Sequence, residues 1–516
     1  MKKGLCLILC MAMLTGCIAA AHAAVVLDED QALQYVLDEF EKIAAIPRPS
    51  SGTDAISDYL YQWGLDHGFA SVQDEVGNVI WDVSATPGYE DAALTALQAH
   101  MDMVVVSEKP GWDGVVTLIL TEDGILKADG TSMGGDDAIG IISAMYLATN
   151  EAVVHGPLRV ILTINEEGGS PSGVGNLDHA VVEDAAYLVN IDSEDYGTVT
   201  VSACGFGGYV FSGELAWTDV DPEGKVAYAI DLNDLAGGHS GVDIHKNRAN
   251  AIKAVDYCMA WAKYNGIQVQ LSSFTGGTGM TAIPKVANAV IVFDAKDEAL
   301  FAELMDKTIG LFGDQFDRTE AGYSFAYAPV DVPEKALSVE ESAKLIDLVA
   351  AVEDGVNTIS QRYPGITETS FNVGTVSFTS DSDQMFFMVP MRLSSAWPAL
   401  LANMQFTAIA NAFGYTMSVS DDVNLGWVEK EDDIIAEYYA QAFKEYTGED
   451  CVITAVHGGL ECADFAEWND NLQIISVGPS VIGAHSTSEH IPVNTIVPTI
   501  GSIGTLLGYI AEGALD

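Results

Sequence analysis

Four short apolar runs, each cut off by a polar or charged residue or by glycine, limit how this chain can fold more than any other feature. They are "LTALQA" (94–99), "LRVILTIN" (158–165), "AAYLVNID" (185–192) and "LQIISVG" (472–478). Runs of this length and composition read as strands buried on both faces. The segments 30–46, 136–152 and 434–448 place apolar residues every three to four positions, which predicts helices. Strands alternating with helices call for an α/β sheet covered on both faces.

The middle of the chain, 205–423, reads differently. "KVAYAIDLN" leads through a helical stretch to "IQVQLSS", and "MFFMVPMRL" leads through another to "YTMSVS". Each is strand, helix, strand. We therefore expect an inserted α+β domain made of two related β-α-β units, dividing an α/β domain into 28–204 and 424–516. At 516 residues the chain is long enough for both domains, and 49% apolar content suffices for two cores.

The start, "MKKGLCLILCMAMLTGCIAAAHA", has the basic end and short apolar stretch of an export signal, and is too brief to span a bilayer. "LTGC", Leu14 to Cys17, fits the bacterial lipoprotein pattern with a lipid on Cys17, while "AHA" would suit cleavage after Ala23. The lipoprotein reading is favoured. The expected location is the periplasm or cell envelope, with the membrane met only through that lipid. No later run of 18 or more apolar residues follows. Cys204, Cys258, Cys451 and Cys462 show no C-x-x-C spacing, so buried thiols are expected, with one disulfide left open. A formal charge of -52, with 74 acidic against 22 basic residues and no basic cluster, excludes nucleic acid as a partner.

Polar residues fall at the ends of the predicted strands. "ALQAHMDMV" puts His100 and Asp102 at one end, "NEEGG" puts Glu166 and Glu167 at another, and "NIDSED" puts Asp192 at a third. Asp136 and Asp137 open a helix in "GGDDAIG", and His485 follows the last strand in "VIGAHS". Ligands of open α/β sheets bind beyond the carboxyl ends of the strands. Taken singly, each residue has an ordinary explanation as a loop histidine, a helix cap or a solvated end. Together they make a mixture of imidazole and carboxylate suited to zinc, or less selectively to manganese or cobalt. So much clustered negative charge is costly without cations, and a pair of metal ions resolves that cost.

The ordered series "HMD", "GGDDAIG", "NEEGG", "NIDSE", "GGHSG" and "GAHS" resembles the dizinc peptidases of the aminoacylase/carboxypeptidase/dipeptidase clan. Within that clan it is most similar to the bacterial Xaa-His dipeptidases (aminoacyl-histidine dipeptidases, carnosinase-like), a likeness carried also by "HGGLECADF". The resemblance covers essentially the whole mature chain. It implies a mixed-sheet catalytic domain with 205–423 as its lid. It further implies that Asp136 bridges two Zn2+ about 3.5 Å apart. His100 and Asp192 would complete one ion's ligands, Glu167 and His485 the other's, and Asp102 would orient the His100 ring. Glu166 would be the general base, taking a proton from the attacking water and returning it to the leaving amine. His239 in the lid would polarise the substrate carbonyl and Arg392 would hold its C-terminal carboxylate. Asn372 and Thr281 would be substrate contacts, although relatives usually have asparagine where Thr281 stands. A cis peptide between Asp136 and Asp137 is implied too. Asp137 itself stands where near relatives often have asparagine, and Asp192 where acylases and carboxypeptidases tend to have glutamate, which favours a dipeptidase. The partner is then a small peptide, and the chain a monomer or homodimer. Lid closure is expected, with His239 and Arg392 short of direct contact with the ions when no ligand is bound.

Three rival readings stand beside this one. "GTSMG" (130–134) fits G-x-S-x-G and would make Ser132 the nucleophile of a serine hydrolase, but that leaves the acidic cluster unexplained. A non-catalytic peptide-binding lipoprotein would need the ligands and not Glu166. A related amidase or aminoacylase would use the same metal logic on other small amides.

Overall fold

The computed structural model describes residues 24–420 and 426–515. The leader, with Cys17 and both cleavage candidates, lies outside them.

Two large hydrophobic cores form. One is built from residues between Ala32 and Ala203 and again between Trp427 and Leu515. The other draws only on residues from Tyr209 to Tyr415. In the first, the strands Leu158–Thr163, Thr95–His100, Tyr187–Asn190 and Gln473–Ser476 lie side by side and all parallel. Antiparallel Val79–Val83 continues the sheet beyond Leu158–Thr163. All six residues of Thr95–His100 and all four of Tyr187–Asn190 are buried, as parallel strands covered by helices on both faces must be. The four apolar runs are thus the centre of one sheet, and their carboxyl ends share one edge.

The helices follow their apolar spacing. Glu29–Ala44 buries Ala32, Val36, Phe40 and Ile43, and the carboxylate of Asp28 caps it by accepting the Gln31 N–H at 3.1 Å. Gly135–Thr149 is buried on nearly every side. Near the C-terminus, Val493–Ala511 is long and apolar enough to cross a membrane, yet 78% of its apolar window is buried inside the protein. It is a core helix, packed against Ile435–Thr447.

The inserted domain contains the two split β-α-β units. Lys225–Asn233, the helix Ala251–Tyr264 and Gln270–Gly276 form one, with Ala287–Asp294 antiparallel between the two strands. Phe386–Leu393, the helix Ala396–Phe413 and Thr416–Val419 form the other, with the long strand Thr198–Ser212 between. That long strand joins the domains: its first half pairs with Val452–Val456 and its second with Phe386–Leu393. The returning chain crosses beside it at Gly426, whose φ is +77°, and where a Cβ would lie 2.3 Å from the Gly205 nitrogen. No other residue fits so close a backbone approach.

Candidate active site

The shared sheet edge gathers the side chains. His100 is the last residue of its strand, and its Nε2 lies 2.9 Å from Asp136 Oδ1 and 3.4 Å from Asp192 Oδ1. His485 Nε2 lies 3.1 Å from Asp136 Oδ2 and 2.8 Å from Glu167 Oε1. The two oxygens of Asp136 therefore face different histidines, each accompanied by a second carboxylate.

Asp136 owes its position to the way the helix begins. Gly134 has φ +65°, the Asp136–Asp137 peptide is cis, and both aspartates have non-helical backbone angles, so regular helix starts after them. Asp137 accepts the N–H groups of His100 at 3.1 Å and Gly140 at 2.9 Å, and its carboxylate stays within 4.8 Å of the ligand atoms of His100 and Asp192.

The two glutamates sit differently from the expectation that they end a strand. Leu158–Thr163 stops first, and Glu166 and Glu167 occupy the turn beyond. Asn165 (φ +56°) precedes them and Gly168 and Gly169, both left-handed, follow, so the turn is shaped from both sides and not by the glycines alone. Buried Asp102 secures it, accepting the N–H of Glu166 at 3.0 Å, that of Glu167 at 3.2 Å and the Ser50 hydroxyl at 2.6 Å. Its Oδ1 also lies 3.3 Å from His100 Nδ1, without hydrogen-bond alignment.

The electrostatics of this cluster call for positive charge. Burial raises the proton affinity of Glu167 to about 7 and that of Asp192 to about 6, with Asp136 adding to both. Burial, then Asp192, Glu167 and Glu461, push Glu166 well above the usual carboxylate range, against the opposing pull of His100. His485, hydrogen-bonded to Asp136 and paired in charge with Glu167, is pushed up to about 11. Each histidine has one ring nitrogen facing two carboxylates, and a ring N–H can serve only one of them well. Glu167 Oε1 is buried without an aligned hydrogen bond. An ion on each side of Asp136 would satisfy these donor sets: His100 and Asp192 with one oxygen, His485 and Glu167 with the other. The residues fit a pair of divalent cations.

His239 and Arg392 meet each other in the lid. His239 Nδ1 faces the N–H groups of Gly241 at 3.3 Å and Val242 at 3.2 Å. Burial, then Arg392 and His485, lower its proton affinity to about 4, so the ring is neutral. With Nδ1 accepting, the ring proton sits on Nε2, which lies 3.2 Å from Arg392 Nη2. Two donors thus face one another. Arg392 is only 6% exposed, stacks at 4.8 Å over Phe206, and its Nε has no partner. Among the described residues neither side chain hydrogen-bonds to the five metal-ligand candidates, although Arg392 lies near enough to feel the charge of Glu166.

Asn372 is buried and its amide is engaged by the Ala282 carbonyl at 2.9 Å. It thereby holds the short strand that pairs with His239. Thr281 is exposed, and its carbonyl accepts the Ser240 N–H at 2.7 Å.

The serine-hydrolase reading fails on geometry. Ser132 is 1% exposed, and its hydroxyl bridges the Val104 carbonyl (2.7 Å) and the Val106 N–H (3.0 Å). The segment before it, "DGILKADG" (123–130), contributes the strand Ile125–Ala128 to a separate three-stranded sheet, away from the parallel sheet edge. The four described cysteines are free. Cys204 Sγ lies 2.9 Å from His457 Nδ1, whose other nitrogen meets Ser370 Oγ at 2.7 Å.

Sequence reasoning passes over Arg48, Glu461 and Glu489. Arg48 stands in an unremarkable "PRPS", and only the scarcity of basic residues could draw notice to it. Glu461, in "GGLEC", is buried and accepts Thr163 Oγ1 at 2.5 Å and Gln98 Nε2 at 2.7 Å, beneath the strands that carry the ligands. Glu489, in "HSTSEH", falls one residue out of step with an inverted zincin pattern, H-x-x-E-H, and carries no other signal.

A sheet edge of this kind, with histidine and carboxylate ligands under a lid, defines a metal-dependent peptidase of the two-domain class. The chain belongs to the peptidase family M20/M25/M40, whose family pattern matches residues 96–508. It is 28% identical over 472 residues to the cytosol non-specific dipeptidase of Escherichia coli, covering 90% of this chain and 95% of that one. Its structure is similar to that of the aminoacylhistidine dipeptidase of Vibrio alginolyticus (TM-score 0.77, 26% identity, 92% and 96% of the two chains). Aminopeptidase PepT of Bacillus cereus shares the fold at a TM-score of 0.51 and 16% identity, over 93% and 99% of the chains.

Proposed function

We propose that this protein is a dipeptidase with two metal ions, zinc or alternatively cobalt or manganese, that acts on dipeptides of the Xaa-His type or a broader range. The observation that carries the reading is Asp136, with one oxygen toward His100 and the other toward His485. Bound ions would supply Lewis acidity toward the scissile carbonyl and activate the attacking water. Glu166, held by Asp102 through its own N–H, accepts the water's proton and delivers it to the leaving nitrogen. Burial holds its carboxyl above the usual carboxylate range. A peptide oxygen placed between His239 Nε2 and Arg392 Nη2 would satisfy both donors. The buried, unpaired guanidinium favours an anionic group there, as a dipeptide's C-terminal carboxylate provides.

The same reading puts the enzyme outside the cytoplasm, tethered through lipidated Cys17. The support is the leader, with Lys2 and Lys3 before an apolar stretch and "LTGC" after it. A Cys17→Ala variant released from the membrane fraction would bear this out; a mature enzyme left in the cytosol would refute it.

The activity is tested with metal-stripped protein and a dipeptide panel that includes β-Ala-His, with and without added zinc. Cleavage restored by zinc supports the proposal. Activity indifferent to chelation refutes it, and metal uptake without turnover of any dipeptide shifts the reading to a longer substrate or a receptor.

A further inference from the structure

Four residues beyond His485, the chain buries Glu489 against the loop that carries Asp136. Glu489 is 2% exposed. Its Oε2 accepts the N–H groups of Met133 at 2.7 Å and Gly134 at 3.0 Å, and its Oε1 accepts that of Gly135 at 2.7 Å. Three consecutive N–H groups thus close on one carboxylate immediately before Asp136. On the other side of the same loop the guanidinium of Arg48, also 2% exposed, donates to the Gly134 carbonyl. Arg48 also donates to the carbonyls of Met101 at 3.0 Å and Asp102 at 2.8 Å. Gly134 is therefore held through its N–H by Glu489 and through its C=O by Arg48. A Cβ there would lie 2.4 Å from Arg48 Nη2, so the clamp closes only on glycine.

The two clamps reach different ligands. Arg48 ties the His100–Asp102 segment to the Asp136 loop, and Glu489 ties the His485 loop to it. A further carboxylate buried near Asp136 adds to the negative charge there. Its burial raises its own proton affinity, against the pull of the three N–H groups. A glutamine would offer one acceptor oxygen where these three N–H groups use two, so the clamp itself requires a carboxylate.

We propose that Glu489 is a positioning residue that fixes Asp136 Oδ2 against His485, and so sets the affinity for the ion shared by Asp136, Glu167 and His485. It touches neither ion nor substrate. The inference rests on the two-ion reading, and it makes the two ions unequal in a defined direction: loss of Glu489 weakens the His485-side ion and leaves the His100-side ion, which Arg48 supports.

The test uses full-length mature protein stripped of metal, as wild type, Glu489→Gln and Glu489→Asp. Each is titrated with Co2+ while visible absorption and bound metal per chain are followed, and each apo protein is melted. Glutamine keeps the length but turns an N–H2 group toward a backbone N–H; aspartate keeps the charge at shorter reach. The expected result is two tight ions in wild type, and one tight ion with a second weakened about 10- to 100-fold in Glu489→Gln, with Glu489→Asp between. A purely structural role would lower apo melting temperatures and leave both affinities equal to wild type, which overturns the proposal, as does equal weakening of both ions. If Glu489→Gln does not fold, the ordering of the two affinities in Glu489→Asp decides the matter alone. Wild-type protein that takes up no metal would refute the two-ion reading itself, an outcome distinct from failure at Glu489.

Discussion

Asp102 Oδ1 receives the backbone N–H of Glu166 at 3.0 Å, so the proposed ring-orienting carboxylate also holds the proposed base. Its other oxygen takes the N–H of Glu167 and the Ser50 hydroxyl. Asp102→Asn is isosteric but offers one acceptor oxygen where two are used. Metal affinity should fall about 10- to 100-fold, the usual effect of removing a partner behind the ligands, and kcat should fall even at saturating metal. Ser50→Ala, which removes one donor and moves no loop, should have a much smaller effect. Equal metal affinity and kcat in Asp102→Asn and wild type would show that Asp102 organises nothing.

Arg392 should distinguish substrates by their C-termini. Arg392→Lys keeps the charge and loses the fork, and a hydrogen bond to a charged group contributes about 1.5–3 kcal/mol. For free dipeptides kcat/KM should fall roughly ten- to a hundred-fold, most of it in KM, whereas C-terminally amidated dipeptides should be nearly unaffected. Steady-state kinetics on matched acid and amide pairs gives the answer. An equal loss on both would remove the carboxylate from the account.

The lid carries an acid whose cost should depend on pH. Asp256 is fully buried with neither oxygen hydrogen-bonded, and burial raises its proton affinity well above the ordinary value. Lys253, three residues earlier, is occupied by the carbonyls of Val349 and Val352 at 2.7 and 2.8 Å. A carboxyl that binds its proton more tightly when folded stabilises least at high pH. No penalty exists below the unfolded pKa of about 3.9, and about 1.4 kcal/mol is lost per pH unit from there to the folded value. An asparagine side chain in its place does not ionise. The melting temperature of Asp256→Asn relative to wild type should therefore rise as pH climbs above the unfolded value of about 3.9, and a constant difference would contradict the assignment.

The metal-ligand candidates were legible because parallel strands end at one edge: knowing the strands puts His100, Glu167 and Asp192 together, and the short segments around Asp136 and His485 complete the set. What escaped the sequence are contacts made through the backbone. Arg48 and Glu489 bind C=O and N–H groups, which every residue possesses, so no pattern of side chains marks them. Asn372 adds a case of the same kind, its side-chain amide donating to the Ala282 carbonyl. The donor pair of His239 and Arg392 depends on side chains from strands 153 positions apart, which only the folded lid brings together. The position of Glu166 and Glu167 beyond their strand depended on Asn165 adopting a left-handed backbone, a choice that its neighbours did not announce.

The central claim is that Glu166 moves the proton while other residues hold the ions. The direct measurement is kcat of Glu166→Ala on the best dipeptide, with bound metal per chain determined on the same samples. The account predicts two ions retained and kcat reduced about 10²- to 10⁴-fold. A variant that keeps both ions and turns over at the wild-type rate would contradict it.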